Sequence, residues 1–273
     1  MILYISDLDG TLLNSKQEIG EKSISAINGM IEKGLNFTIA TARSYDSVKT
    51  LTGRLNLTLP LILNNGALVY DPVARKYLMK RIIAPETLDH LIEVFDREGV
   101  SFFVNAFDAE GTSKMYNRGI YNQFERNYVD ERIRRGDKRF TIFDDIAGCG
   151  AIECVSFSAF NKKKTAKKMI RLLRDRKDVV CHFYSDSYSA GYIVEITDAK
   201  ADKRTGVEFL RGYLGADSVV AFGDNYNDIG MFKASDRKCA MSNACPELRR
   251  LADEIIGSNE KGGVAEYLAG KFE

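Results

Sequence analysis

The sequence predicts an α/β protein whose core is a doubly wound parallel sheet, with a separate α+β unit inserted into it. Short apolar runs alternate with helical periodicities over residues 1–80, and the same rhythm returns from residue 191. Between these segments, strand-like runs are frequent and only two helical patterns stand out. We therefore expect a core formed by 1–80 and 191–273 and an inserted domain at 81–190.

The elements of the core follow in chain order. A strand is expected at residues 2–6, and a helix that ends at Gly34, a residue suited to a left-handed helix end, leads to a second strand at 35–40. A helix marked by Val48, Leu51 and Leu55 and a third strand at 61–63 complete the first segment. In the second segment we expect a strand, a helix and a strand at 192–196, 205–214 and 219–223.

The insertion begins with a helix that ends at Gly99 and contains an amphipathic helix at 162–177 with a dense Lys/Arg face. Its strands are expected at 100–105, 140–143, 152–160 and 179–184. A charged outer helix face is more often solvated than bound to nucleic acid, so we do not expect this basic helix to bind nucleic acid.

Composition excludes several classes of protein. Lys and Arg number 39 against 38 Asp and Glu, a net charge of +1 that argues against nucleic-acid and anionic-membrane partners. No apolar run approaches a membrane span and no leader-like pattern opens the chain, so we expect a cytoplasmic protein, and without long heptads a monomer. The chain has two histidines, which argues against a His-based metal site and against a Ser-His-Asp triad. Neither a disulfide framework nor a thiolate zinc site is suggested by five cysteines without a C-x-x-C pair: Cys149, Cys154, Cys181, Cys239 and Cys245.

The most informative segment is Asp7-Leu8-Asp9-Gly10-Thr11, directly after the first strand. Ligands of open parallel sheets bind beyond the carboxyl ends of the strands. Residues of the same parity on a strand face the same way, so Asp7 and Asp9 are expected close together. Two close carboxylates suit a proton-sharing pair or a hard divalent ion such as Mg²⁺, and the alternative is a polar turn.

Three further elements lie near strand ends or helix starts. Thr41-Ala42-Arg43 closes the second strand, where a hydroxyl and free amides could cradle phosphate, although such a threonine is often structural. Gly223-Asp224-Asn225-Tyr226-Asn227-Asp228 offers oxygen ligands for a metal, or alternatively an N-cap. Lys203 precedes the 205–214 helix, and Lys200 is its rival.

These four elements, in this order, resemble the motifs of the haloacid dehalogenase superfamily. Asn65-Gly66-Ala67, Glu195-Ile196, Asn243-Ala244 and Gly262-Gly263-Val264-Ala265 are similar to its Cof-type sugar-phosphatase-like branch, which carries a large α+β cap where the insertion lies. The resemblance implies a Rossmann-like core. This chain departs from the common pattern at Ala42 and Arg204, where many members have glycine.

The resemblance implies a Mg²⁺-dependent phosphatase that hydrolyses small phosphorylated metabolites through an aspartyl-phosphate. Asp7 is then the nucleophile and Asp9 the acid and base, while Lys203 and Thr41 hold the transferring oxygens. The implied metal ligands are Asp7, the Asp9 carbonyl, Asp224, Asn225 and Asp228. The implied further phosphate contacts are Leu8, Ala42 and Asn227.

Two alternatives stay open at this point. A phosphomutase of the same superfamily shares the aspartyl-phosphate but returns the phosphoryl group to a sugar. A metal- or phosphate-binding module without turnover would need neither Asp9 nor Lys203. The identity of the metabolite cannot be read from the inserted domain.

Overall fold

The computed structural model describes residues 1–134, 136–143, 152–186 and 191–272. The chain divides into two compact units, one formed by Met1–Lys80 with Ala201–Glu273 and the other by Arg81–Lys200. Of the five cysteines, Cys149 lies outside the described residues. None of the helices in the described ranges is long and apolar enough to cross a membrane.

The first unit is built on a five-stranded sheet in which every pairing is parallel. In spatial order its strands are β14 (Glu254–Ile256), β13 (Arg237–Met241), β12 (Ser218–Gly223), β1 (Ile2–Ser6) and β2 (Asn36–Ile39). Its helices are α1 (Glu21–Glu32), α2 (Tyr45–Thr52), α6 (Lys203–Leu214), α7 (Ile229–Lys233), α8 (Pro246–Leu251) and α9 (Gly263–Ala269). The predicted α/β core is confirmed. Because β1 lies between β12 and β2, the carboxyl ends of these three strands meet at one edge of the sheet.

A small antiparallel sheet follows α2 and differs from the predicted continuation of the parallel sheet. Its strands are β3 (Leu61–Leu63), β4 (Leu68–Asp71) and β5 (Lys76–Lys80). The strand predicted at 61–63 exists, but it meets the parallel sheet through a single bridge between Ala40 and Ile62. The chain reverses at Asn64, Asn65 and Gly66, which all have positive φ, and this turn sends β4 back along β3.

The second unit is an α+β domain with a six-stranded sheet. In spatial order its strands are β10 (Val179–Asp186), β11 (Gly191–Asp198), β9 (Glu153–Asn161), β6 (Phe103–Phe107), β7 (Ser113–Asn117) and β8 (Phe140–Ile142). Its helices are α3 (Pro85–Arg97), α4 (Gln123–Arg134) and α5 (Lys163–Leu173). Neighbouring Phe103 and Val104 belong to different apolar clusters, so both faces of the sheet carry a core.

The basic helix is amphipathic as predicted, with Ala166, Met169 and Leu173 buried against one of these clusters. The second domain boundary, however, differs from the sequence expectation. The predicted strand at 192–196 exists within β11, but it pairs with β9 and β10 and belongs to the second unit. The boundary therefore lies between 200 and 201 rather than after 190, a residue outside the described ranges. An apolar strand pattern does not reveal which sheet the strand will join.

Candidate active site

The carboxyl end of β1 places Asp7 in the interior of the first unit. The Asp7 N–H donates to the Phe222 carbonyl of β12 at 2.9 Å, which continues the strand pairing by one residue. The residue is buried, with 4% of its surface exposed. The strand geometry thus delivers a carboxylate to the edge where β1 and β12 end.

Asp9 has a different hydrogen-bond partner from Asp7, although its charge still contributes to raising the pKa of Asp7. Arg43 holds it with two hydrogen bonds, from Nε to Oδ2 at 2.7 Å and from Nη2 to Oδ1 at 2.5 Å. The strand ends at Ser6, so the alternation of side chains along a strand does not fix the direction of Asp9. The Asp9 side chain is about half exposed, at 49%.

Lys203 is the buried cation of the site. Its Nζ donates to Asp7 Oδ1 at 2.5 Å and to Asp228 Oδ1 at 2.7 Å, and its side chain is fully buried. It opens α6, where the Asp202 carboxylate caps the helix by accepting the Arg204 N–H at 2.9 Å. A Cβ at position 66 would lie 2.0 Å from the Asp202 carbonyl oxygen, so only glycine fits there beside the start of α6. Of the two lysines that the sequence left as rivals, Lys203 is the one in the site.

The segment after β12 contributes two more carboxylates. Asp228 Oδ2 accepts the backbone N–H groups of Asp224 at 2.9 Å and of Asn225 at 3.0 Å, and its other oxygen accepts from Lys203. Asp224 Oδ1 accepts the Thr11 hydroxyl at 2.8 Å. The segment therefore folds around Asp228 and presents Asp224 to the loop that follows β1.

The two amides of this segment have different partners. Asn225 is exposed, and its side-chain oxygen accepts the Tyr226 N–H at 2.8 Å in a capping box at the start of a short 3-10 helix, Tyr226–Asp228. This is the capping arrangement that the sequence left open beside metal ligation. Asn227 Nδ2 donates to Asn65 Oδ1 at 3.1 Å. Asn65 therefore joins the site from the turn that ends β3.

The segment after β2 supplies a buried hydroxyl. Thr41 is fully buried, its N–H donates to the Ile62 carbonyl at 2.9 Å, and its Oγ1 accepts the Arg43 N–H at 3.2 Å. Ala42 does not have positive φ, so alanine is tolerated where related motifs have glycine. Leu8 is buried in the loop after β1, and its carbonyl accepts two N–H groups of the same loop.

The acidic groups of the site exceed its cations. Asp7, Asp224 and Asp228 each offer an oxygen within 4.8 Å of the others, and Lys203 is the cation bound to two of them. With Asp9 balanced by Arg43, three carboxylates against one lysine leave a formal charge of −2. Carboxylate oxygens at this spacing are the donor type that hard divalent cations prefer, so the residues present fit such an ion.

The protonation tendencies reflect this surplus. Burial, followed by the Asp228 charge, raises the pKa of Asp7 well above its ordinary value, and Lys203 only partly opposes this. Burial and Asp228 also raise the pKa of Asp224 to about 6, against the hydrogen bond from Thr11. Burial alone would lower the pKa of Lys203, but Asp228 and Asp7 outweigh it and raise that pKa. The cluster holds its lysine charged and lacks positive charge.

The residues implied by the sequence thus meet at one edge of the sheet: Asp7, Leu8, Asp9, Thr41, Ala42, Lys203, Asp224, Asn225, Asn227 and Asp228. The roles of Thr11 and Arg43 were not anticipated, although both stand inside the recognised motifs. Asn65 and Asn243 were noted only as parts of a resemblance. The sequence signals that could have identified them are the Asn65-Gly66 and Asn243-Ala244 pairs.

Comparisons with known proteins agree with this geometry. The family model for haloacid dehalogenase-like hydrolases matches residues 4–268. Two Bacillus subtilis relatives, YwtE and YitU, are both named 5-amino-6-(5-phospho-D-ribitylamino)uracil phosphatase. YwtE is 28% identical over 96% of this chain and 95% of its own, and YitU is 24% identical over 99% and 97%.

Solved structures share the fold. A haloacid dehalogenase-like hydrolase from Bacteroides thetaiotaomicron superposes with a TM-score of 0.83, at 21% identity, over 99% of both chains. A sugar phosphatase of subclass IIB superposes with a TM-score of 0.76, at 18% identity, over 99% of this chain and 98% of that one. The predicted superfamily is confirmed, and the chain belongs to the haloacid dehalogenase-like hydrolases.

Proposed function

We propose that this chain is a Mg²⁺-dependent phosphatase that hydrolyses small phosphorylated metabolites through an aspartyl-phosphate on Asp7. The observation that carries the proposal is the buried Lys203, bound at once to Asp7 and Asp228 in a cluster with a surplus of negative charge. A site that only needed to be stable would match its buried charges. This one is arranged to receive a cation and a phosphate together.

Asp7 and Asp224, with the backbone carbonyl of Asp9, are the proposed direct ligands of Mg²⁺. Both oxygens of Asp228 already accept hydrogen bonds, which favours contact with the ion through water. Asn225 is a weaker candidate because its side-chain oxygen caps the following 3-10 helix. When bound, Mg²⁺ supplies the positive charge that lets a carboxylate approach a phosphate dianion.

The chain's own residues perform the transfer. A carboxylate oxygen of Asp7 forms a bond to phosphorus while the bond from phosphorus to the substrate oxygen breaks. Lys203, the Thr41 hydroxyl, the Asn227 amide and the backbone N–H groups of Leu8 and Ala42 hold the transferring oxygens. Most of the rate enhancement in phosphoryl transfer comes from such positioning and charge stabilisation.

Asp9 is the proposed proton donor and acceptor. It protonates the departing oxygen of the substrate, and in the second step it takes a proton from the water that attacks phosphorus. That attack releases inorganic phosphate and restores the Asp7 carboxylate. The half-exposed position of Asp9 supports contact with a leaving group, and Arg43 fixes its orientation.

The substrate class is proposed from the relatives. YwtE and YitU are named for a phosphate ester on a ribityl chain, and a structural neighbour is named a sugar phosphatase. We propose phosphate esters of sugars and similar metabolites as substrates, hydrolysed by a monomer.

Hydrolysis of p-nitrophenyl phosphate with and without Mg²⁺ tests the proposal. We expect Mg²⁺-dependent release of inorganic phosphate, loss of more than about a thousandfold in kcat for Asp7→Asn, and a comparable loss in Asp9→Asn with Mg²⁺ affinity kept. Asp253→Asn, an exposed position on the same unit that accepts the Lys238 N–H, is the control and should match wild type.

Other outcomes overturn specific parts. Near wild-type turnover in Asp7→Asn rejects the nucleophile. Transfer between positions of a sugar phosphate without phosphate release identifies a phosphomutase. Binding of Mg²⁺ and phosphate with no turnover of a panel of phosphorylated metabolites identifies a binding module.

A further inference from the structure

A chain of hydrogen bonds ties the loop after β1 to the C-terminal part of the first unit. Asn243 Nδ2 donates to the Gly10 carbonyl at 2.8 Å, and Asn243 Oδ1 accepts the Asn259 N–H at 3.2 Å. Both partners are backbone groups, one that only accepts and one that only donates, so they fix which way the amide faces. Asn243 therefore links the two segments in one orientation.

The carbonyl that Asn243 binds belongs to Gly10, a closely packed residue of the site. Gly10 has φ +76°, and a Cβ there would lie 2.4 Å from Asp224 Oδ2. The Asp224 carboxylate therefore rests directly against the Gly10 backbone. The next residue, Thr11, donates its hydroxyl to the same carboxylate at 2.8 Å.

We propose that Asn243 is a positioning residue of the metal site. This rests on the proposed function, because it concerns the Mg²⁺ that Asp7, Asp9 and Asp224 would hold. Glycine leaves the backbone more freedom than other residues, so the peptide planes beside Gly10 need an external restraint. Asn243 supplies that restraint at the peptide group between Gly10 and Thr11, and thereby fixes the position of the Thr11 hydroxyl that binds Asp224.

The chain offers a matched control in Asn259. Its Nδ2 donates to the Leu13 carbonyl at 2.9 Å, an amide-to-carbonyl bond to the same loop three residues further on. Leu13 also donates its N–H to the Leu8 carbonyl at 2.8 Å and pairs with Asp9 through an isolated bridge, which closes the loop on itself. Loss of either asparagine amide removes one tie of the loop, but the Asn243 bond ends on Gly10, the residue packed against the Asp224 carboxylate.

The experiment compares Asn243→Asp and Asn243→Ala with Asn259→Asp and Asn259→Ala in the full chain. Mg²⁺ affinity is measured by isothermal titration calorimetry, kcat and KM with p-nitrophenyl phosphate at saturating Mg²⁺, and Tm without metal. Removal of a residue that orients metal ligands typically weakens binding about 10- to 100-fold, and we expect Mg²⁺ affinity in both Asn243 variants to fall by about 10-fold or more. Both Asn259 variants keep the backbone N–H that Asn243 accepts, so their Mg²⁺ affinity should stay within about twofold of wild type, while Tm without metal falls in all four variants because each loses a hydrogen bond.

Asn243→Asp separates positioning from charge. It keeps the acceptor for the Asn259 N–H and loses the donor to Gly10, and its added negative charge would by itself tighten Mg²⁺ binding. Weaker binding therefore reports lost positioning, and this variant also decides the matter if Asn243→Ala does not fold.

The failures are distinguishable. Mg²⁺ affinity in Asn243→Asp within about twofold of wild type, or an equal loss in the Asn259 variants, overturns the role of Asn243 and leaves the phosphatase proposal intact. If the wild-type chain binds Mg²⁺ but hydrolyses no phosphate ester, the proposed function is wrong. The Mg²⁺ affinities of the variants still test the role of Asn243. Wild-type chain that binds no Mg²⁺ overturns both.

Discussion

An acidic cluster in the first unit and a single aspartate in the second unit are held in opposite ways. In the first unit, Asp7 and Asp228 share one lysine with Asp224 beside them, and the pKa of Asp7 is raised, first by burial and then by Asp228. In the second unit, Asp137 lies between Arg132 and Arg139, whose side chains contact both of its oxygens at 2.7–3.0 Å. Burial would raise the pKa of Asp137, but Arg139 and Arg132 outweigh it and lower that pKa to about 2.

The contrast shows how a working site differs from a structural one. The Asp137 cluster has more positive than negative charge and is complete by itself. The Asp7 cluster is short of positive charge, a costly arrangement for buried groups that the proposed binding of a cation would relieve.

The largest effect should follow removal of the lysine. Lys203→Met leaves Asp7 and Asp228 buried without their cation, and loss of one partner from a buried ion pair typically costs about 3–5 kcal/mol. We expect the free energy of unfolding of the metal-free chain to fall by that amount in urea titrations. Arg139→Met leaves Arg132 on Asp137, so it should cost only about 2 kcal/mol. Equal losses in the two variants would remove the distinction between the clusters.

Addition of Mg²⁺ should have the next largest effect. At a hundred times its Kd, a ligand that binds only the folded state adds about 2.7 kcal/mol of stability. We expect Mg²⁺ to stabilise the wild-type chain and Asp137→Asn by the same amount, and Asp224→Asn much less. Scanning calorimetry with and without EDTA measures the three shifts, and an unchanged shift in Asp224→Asn would place the metal elsewhere.

The smallest effect concerns pH and Asp137. Because its folded pKa is lowered, this carboxylate stabilises the fold above its unfolded pKa near 3.8, and the contribution is lost as pH falls toward about 2. Asp137→Asn should therefore cost about 1–2 kcal/mol at pH 7 and progressively less below pH 4. Urea titrations at pH 7 and below pH 4 measure this cost. A cost that does not change with pH would contradict stabilisation of ionised Asp137 by the two arginines.

Much of the fold and of the site followed from local sequence. Apolar strands that run directly into Asp7 and Asp224 indicated both the parallel core and the edge where they meet. The pairing of β11 could not be read, because its apolar pattern suits either sheet. The helix α4 was missed since few of its residues are apolar, with Glu125 and Val129 its buried positions.

The finer contacts of the site lay beyond sequence reasoning for a different reason. Arg43 binds the Asp9 carboxylate across 34 positions of the chain, a partner that the sequence did not indicate. Asn243 reaches Gly10 across 233 positions of the chain. Such contacts depend on how loops return in space, and one sequence does not encode that return in a recognisable pattern.

The central place of β1 also has a consequence for biosynthesis. Its partner β12 begins 216 positions later, since Ile2 pairs with Ser218, and the whole second unit is made in between. At about 5–20 residues per second, translation leaves one edge of β1 without its neighbour for roughly 11–43 seconds. Throughout that interval an apolar strand has an unpaired edge, the kind of edge that invites pairing with another chain.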